Sequence, residues 1–208
     1  MAQDLTSVKG LYDNAIKEDC SRYVIEFDGG IIITDDENVY SEMMDIAHED
    51  LGIAAHEATK SLSQRVKQAK TSKIWKGMKK YPGCQTTKSG NKVLNSRFNN
   101  GVNINFGLSG RDASETQENA NVTILSDNPE ITRAFSSKVA EYSMHRYGRL
   151  YYDGKPHPDS EYVPTFEANV VSNGQATKFN SDSLSHVNSA SLSNGIADAM
   201  NLDTEMSR

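Results

Sequence analysis

Apolar positions along this chain change their spacing several times, and each change predicts an element. Over residues 4–19, Leu5, Val8, Leu11 and Ile16 form a partial stripe at helical spacing, predicting a short, irregular helix. Two β-branched and aromatic runs follow, Tyr23-Val-Ile-Glu-Phe27 and Ile31-Ile-Ile-Thr34, on either side of Asp28-Gly29-Gly30. They predict a tight hairpin, because glycine supplies the positive φ that such turns require. Thr34 or Asp35 then offers an N-cap for a helix from Glu37 to Asp50. Val39, Met43, Ile46 and Ala47 would face inward, and Glu42, Asp45 and Glu49 outward.

Helical spacing continues beyond Gly52. Ala55, Ala58, Leu62, Val66 and Ala69 predict a second helix over 53–70, and Ser72 caps a third that Tyr81-Pro82-Gly83 terminates. The period then falls to two. Lys92–Phe98 and Val102–Phe106 read as a hairpin about Asn99-Asn100-Gly101, and 108–119 reads as a polar loop. Val122–Leu125 predicts a strand, and Ser126 or Asp127 caps a helix from Pro129 to Tyr147 with its proline in the first turn. Two more strands, Arg149–Tyr152 and Tyr162–Val171, flank a turn-rich segment over 153–159. From Ser172 to Arg208 the chain is rich in serine and asparagine, with only a faint helical pattern at Leu192–Met200. That segment reads as a tail, disordered alone or ordered on a partner. The expected architecture is one α+β domain over 1–171, followed by this polar tail. Its sheet, antiparallel or mixed, is built from hairpins, with three or four helices packed on one face.

Composition supports turns and polar strands over a leucine-packed bundle: 23 serines and 17 asparagines stand against 11 leucines, and 37% of residues are hydrophobic. No apolar run nears the roughly 20 residues that a membrane helix needs. Residues 1–10 lack the charged-then-apolar order of a secretory signal. A cytoplasmic or virion-associated protein is expected, neither secreted nor membrane-bound. Cys20 and Cys84 sit in no CxxC and beside no histidine, so both read as free thiols.

Charge changes the picture most. Residues 1–57 carry a net −11, residues 58–110 a net +11 without a single acid, and residues 111–208 a net −6. Ordinary surfaces intersperse both signs, so such segregation points to an anionic partner or to an acidic surface on a neighbouring copy. Within the basic block, Ile74, Trp75 and Met78 fall within about 100° on a helical wheel. Lys73, Lys76, Lys79 and Lys80 occupy the opposite arc, which is what a phosphate-tracking helix needs. Lys60, Arg65, Lys67 and Lys70 flank them on the preceding helix, and Trp75 would anchor the whole. The competing readings are a solvated lysine face and a docking of the +11 block onto the −11 block of another copy.

Candidate chemistry is sparse. Asp28, Asp35, Asp36 and Glu42 could hold Mg²⁺ or Mn²⁺, but turn and cap requirements account for most of that cluster. His48-Glu49 and His56-Glu57 miss the spacing that sets two imidazoles on one helix face. No nucleophile elbow, phosphate loop or cofactor fingerprint occurs, so no catalytic residue, metal or cofactor is assigned. The expectation is a non-enzymatic, self-associating protein of the virus or phage structural or nucleic-acid-packaging type. Its partners would be copies of itself and nucleic acid, with the acidic block facing a basic partner. The alternative is a metal-dependent nuclease or phosphotransferase using the carboxylates around the first hairpin. A third reading is a regulator that turns its acidic block against a nucleic-acid-binding protein.

Overall fold

β-Branched runs with no helical period must pair to satisfy their backbone groups, and the first two do so directly. In the computed structural model, which describes residues 4–15, 23–57, 98–112 and 116–200, β1 (Tyr23–Phe27) and β2 (Gly30–Thr34) form an antiparallel hairpin with Phe27 opposite Gly30. Gly29 takes φ +83° in its turn, as the Asp-Gly-Gly signal requires. The short helix α1 (Val8–Ala15) precedes this hairpin. The helix that follows it is α2 (Glu37–Asp45), extended by one π turn over Ile46–Asp50. Its N-cap is Asp36, one residue later than the sequence indicates, with the side chain accepting from the Asn38 and Val39 amides.

Five further strands join the hairpin: β3 (Ala55–Glu57), β4 (Asn100–Gly110), β5 (Thr116–Ser126), β8 (Tyr162–Ser172) and β9 (Gln175–Asn180). Together they make a seven-stranded sheet in the order β3-β1-β2-β5-β4-β8-β9, every neighbouring pair antiparallel. A separate two-stranded ribbon pairs β6 (Tyr151–Tyr152) with β7 (Lys155–Pro156). Alternation gives the sheet two faces. Ile25, Ile32, Ile124, Val102, Ile104, Phe106, Phe166, Ala168 and Val170 form one of them. Covering it are α2, α3 (Pro129–Tyr147) and α4 (Ser189–Ala199). This is the expected α+β architecture with three helices on one face. On the other face, Leu11, Tyr12 and Ala15 of α1 pack with Val24, Ile31, Ile33, Leu125 and Val171. Among the described residues no helix is long and apolar enough to cross a membrane.

Four expectations are corrected. Ala55–Glu57 begins no helix; it pairs with Ile25–Phe27 as β3, because edge pairing beside β1 overrides weak helical spacing. Asn99-Asn100-Gly101 is no turn, since β4 starts at Asn100. The Asn100 amide donates to the Ser126 carbonyl at 2.9 Å while its oxygen accepts from Thr132 Oγ1 at 2.6 Å. Of the polar loop expected at 108–119, residues 108–110 belong to β4 and 116–119 to β5, because alternation continues through its polar residues; residues 113–115 lie outside the described residues.

The fourth concerns the tail. Residues 172–200 are an integral part of the domain. Asn173 and Gly174 take φ +50° and +75°, the type I′ geometry that returns the chain as β9. A capping box between Asn188 and Ser191 then opens α4, whose Leu192 and Ile196, with Met200 just beyond, are buried in the core. Few apolar residues suffice because these stand at helical spacing. The α3 helix spans Pro129–Tyr147 as expected, capped by Asn128 instead of Ser126 or Asp127.

Candidate functional site

All nine proposed contact residues of the basic block, Lys60, Arg65, Lys67, Lys70, Lys73, Trp75, Lys76, Lys79 and Lys80, lie outside the described residues. Cys20 and Cys84 do as well. The acidic candidates are described, and the fold separates them. Asp28 is exposed in the β1–β2 turn, whereas Asp35 and Asp36 follow the far end of β2. A five-residue strand lies between them, roughly 17 Å at the usual rise of about 3.4 Å per residue.

Asp35 and Asp36 each have structural work at that end. Asp35 accepts from the Asn121 amide at 2.9 Å. Asp36 caps α2 and also takes Arg146 Nη1 at 2.9 Å. Arg146 reaches Glu118 at 3.6 Å, and Tyr147 Oη donates to the same carboxylate. Burial opposes the Arg146 charge, but the Asp36 hydrogen bond and the nearby tyrosines hold its proton more tightly than usual. Burial, then the Glu118 contact, pushes the Tyr147 hydroxyl well above its ordinary range. The network ties the start of α2 to the end of α3. No group of three His, Cys, Asp or Glu side chains able to hold a metal occurs among the described residues.

The acidic stripe of α2 points outward as its periodicity predicts. Glu37, Glu42, Asp45, Glu49 and Asp50 are all exposed, and Asp50 pairs with Lys138 at 3.2 Å. Glu37, Glu42, Asp45 and Glu49 form no ion pair with any described residue. They stand near the β3–β1 end of the sheet. His48 is exposed, its ring nitrogen 2.8 Å from the Ala55 carbonyl oxygen.

A second polar feature was invisible to motif reading. On the α1 side of the sheet, the register aligns Thr123, Asn103, Asn169 and Lys178 in one row and Asn121, Asn105, Glu167 and Asn180 in the next. Three carboxamides close a ring. Asn103 donates to Asn121 at 3.1 Å, Asn121 to Asn105 at 2.6 Å, and Asn105 to Asn103 at 3.0 Å. Asn103 also donates to Thr123 Oγ1 at 2.9 Å, and both residues are fully buried. Such a ring fixes every amide in one orientation. Asn105 also borders an open cavity of about 370 Å³ whose polar wall includes Asn119, Thr165, Glu167, Asn180 and Asp182. The legible signal was the Val-Asn-Ile-Asn-Phe alternation, which places Asn103 and Asn105 on one face; the partner Asn121 comes from another strand.

No protein family, no curated protein and no solved structure matches this chain.

Proposed function

We propose that the chain is a non-enzymatic, self-associating component of a larger assembly, in which the acidic end of one copy meets the basic block of another. The observation that carries this reading is the exposed carboxylate stripe of α2, which has no ion-pair partner among the described residues apart from Lys138 at Asp50. A chain holding −11 in its first 57 residues and +11 in the next 53 is complementary to itself. Opposed fields of that kind steer encounter and set register between partners. Contact between two different patches is heterologous, so it builds rings or filaments. The serine- and asparagine-rich composition extends the proposal to a virus- or phage-type structural component, with nucleic-acid packaging as the version that growth on oligonucleotide would favour. Lys73, Lys76, Lys79 and Lys80, flanked by Lys60, Arg65, Lys67 and Lys70, are its proposed cationic contact, with Trp75 as anchor. The nuclease alternative draws little support from a set in which Asp28 stands a strand's length from Asp35 and Asp36, and those two already hold the Asn121 amide, the α2 cap and Arg146.

Light scattering at low and high salt, with and without an oligonucleotide, tests the reading. The expected result is a homo-oligomer that shrinks as salt rises, is indifferent to oligonucleotide, and shrinks likewise on the triple change Glu42→Lys, Asp45→Lys, Glu49→Lys. A particle that stays monomeric at low salt overturns it. If such a monomer grows only with oligonucleotide, and loses that growth when Lys73, Lys76, Lys79 and Lys80 become alanine, the basic block serves nucleic acid instead.

A further inference from the structure

The sheet ends in a regular edge strand that no other described strand covers. Among the described strands β9 has a neighbour on one side only, and Gln175, Ala176, Thr177 and Lys178 are exposed. The two-residue turn at Asn173-Gly174 sets which backbone groups face outward. Its closing pair, Ser172 with Gln175, exchanges hydrogen bonds, and alternation makes Val170–Thr177 and Ala168–Phe179 the other bonded pairs. The N–H and C=O groups of Ala176 and Lys178 therefore point away from the sheet.

Other edges carry the usual protections. At the opposite end, the described part of β3 is three residues long. The half of β8 that β9 does not cover has Pro164 at a position whose backbone faces that open side, so it lacks a donor there. Along β9 there is no proline and no bulge. Its single charge, Lys178, is held by Glu167 at 3.0 Å.

We propose that this edge pairs with β9 of a second copy, antiparallel about a twofold axis at Thr177. Three twofold registers centred within Ala176–Lys178 keep outward groups facing outward groups. One sets Lys178 against Lys178 and repels. A second is centred on Ala176 and sets Lys178 against the turn residue Gly174, away from the strand. The register centred on Thr177 sets Ala176 against Lys178 twice and Thr177 against Thr177, a favourable cross-strand pair. The occupant is thus a second copy, because in this register the outward donors and acceptors of Ala176 and Lys178 meet their own counterparts with no like charges opposed. The seven-stranded sheet would continue as a sheet of twice that width. This interface uses neither charged block, lies at the far end of the sheet from α2, and can fail without the charge-driven reading failing.

Sedimentation velocity of the full chain over a concentration series in about 1 M salt tests it, since the screening length there falls to about 3 Å and charged docking is silenced. A concentration-dependent dimer is expected. Ala176→Pro should raise the concentration needed for dimer at least tenfold with the melting temperature nearly unchanged, because the N–H it removes points outward. With Cys20 and Cys84 replaced by serine, Thr177→Cys should form a disulfide-linked dimer on mild oxidation, much faster than Asp159→Cys, an exposed control far from the edge. A monomer in high salt at every concentration overturns the proposal. So does a dimer untouched by Ala176→Pro, or a Thr177→Cys chain that cross-links no faster than the control. If association at low salt survives any of these results, the edge is refuted and the charge reading stands.

Discussion

Replacing Ile196 with alanine asks whether the last segment of the chain is a tail or a structural element. Ile196 is 1% exposed and belongs to the main apolar cluster with Leu192, Met200 and residues of α3 and the sheet. Truncating a buried isoleucine removes its transfer free energy and leaves a cavity, together costing about 2–5 kcal/mol. The close approach of Phe179 to Gly195 limits how far α4 could sink to fill the space, which favours the upper half of that range. For a domain of this size, each 1 kcal/mol lowers the melting temperature by roughly 2–4 °C. The expected loss is therefore about 7–20 °C, measured by circular dichroism on heating and checked by the urea midpoint. Asn194→Ala, on the exposed side of the same helix, should cost nothing and could add up to about 0.7 kcal/mol, because alanine is the better helix former. An Ile196→Ala chain as stable as the parent would refute the packing of α4 and restore the tail.

Other consequences can be checked on the same footing. Asn103→Ala should cost about 1–3 kcal/mol in urea unfolding, because it leaves Thr123 and two ring carboxamides short of a partner in a buried setting. Asp36→Ala should destabilise by about 1–2 kcal/mol through the lost cap, whereas Asp28→Ala in the exposed turn should be nearly silent by the same assay. Tyr151 is pushed up from 10.0 to about 12, chiefly by burial. Its folded form thus keeps a proton that the unfolded chain releases. Stability from this group is complete below pH 10.0 and is lost as pH rises toward about 12. Alkaline unfolding of Tyr151→Phe should therefore fall less steeply across that interval, and an unchanged slope would remove Tyr151 from the account.

Elements whose own residues settle their conformation were legible in the order of residues. The Tyr23–Thr34 hairpin, the Pro129–Tyr147 helix and the Tyr162–Ser172 strand agree with their periodicity to within a residue. Caps were displaced by one or two positions, since Asp35, Asp36, Asp127 and Asn128 are all competent and only the path of the chain selects among them. The Asn173-Gly174 turn was readable from its dipeptide, a type I′ signal that the surrounding serine and asparagine obscured.

Charge segregation, the alternation of β4 and the α+β class are properties of residue order, so the sequence alone determined them. Pairing is a different kind of property. That Asn103 and Asn105 meet Asn121, that Ala55–Glu57 joins β1 as an edge strand, and that Asp28 stands a strand's length from Asp35 depend on register between segments distant in the chain. Only the tertiary structure decided these. It also decided that a segment with few large apolar residues is core, because burial is set by what a side chain meets across the fold and not by the composition around it.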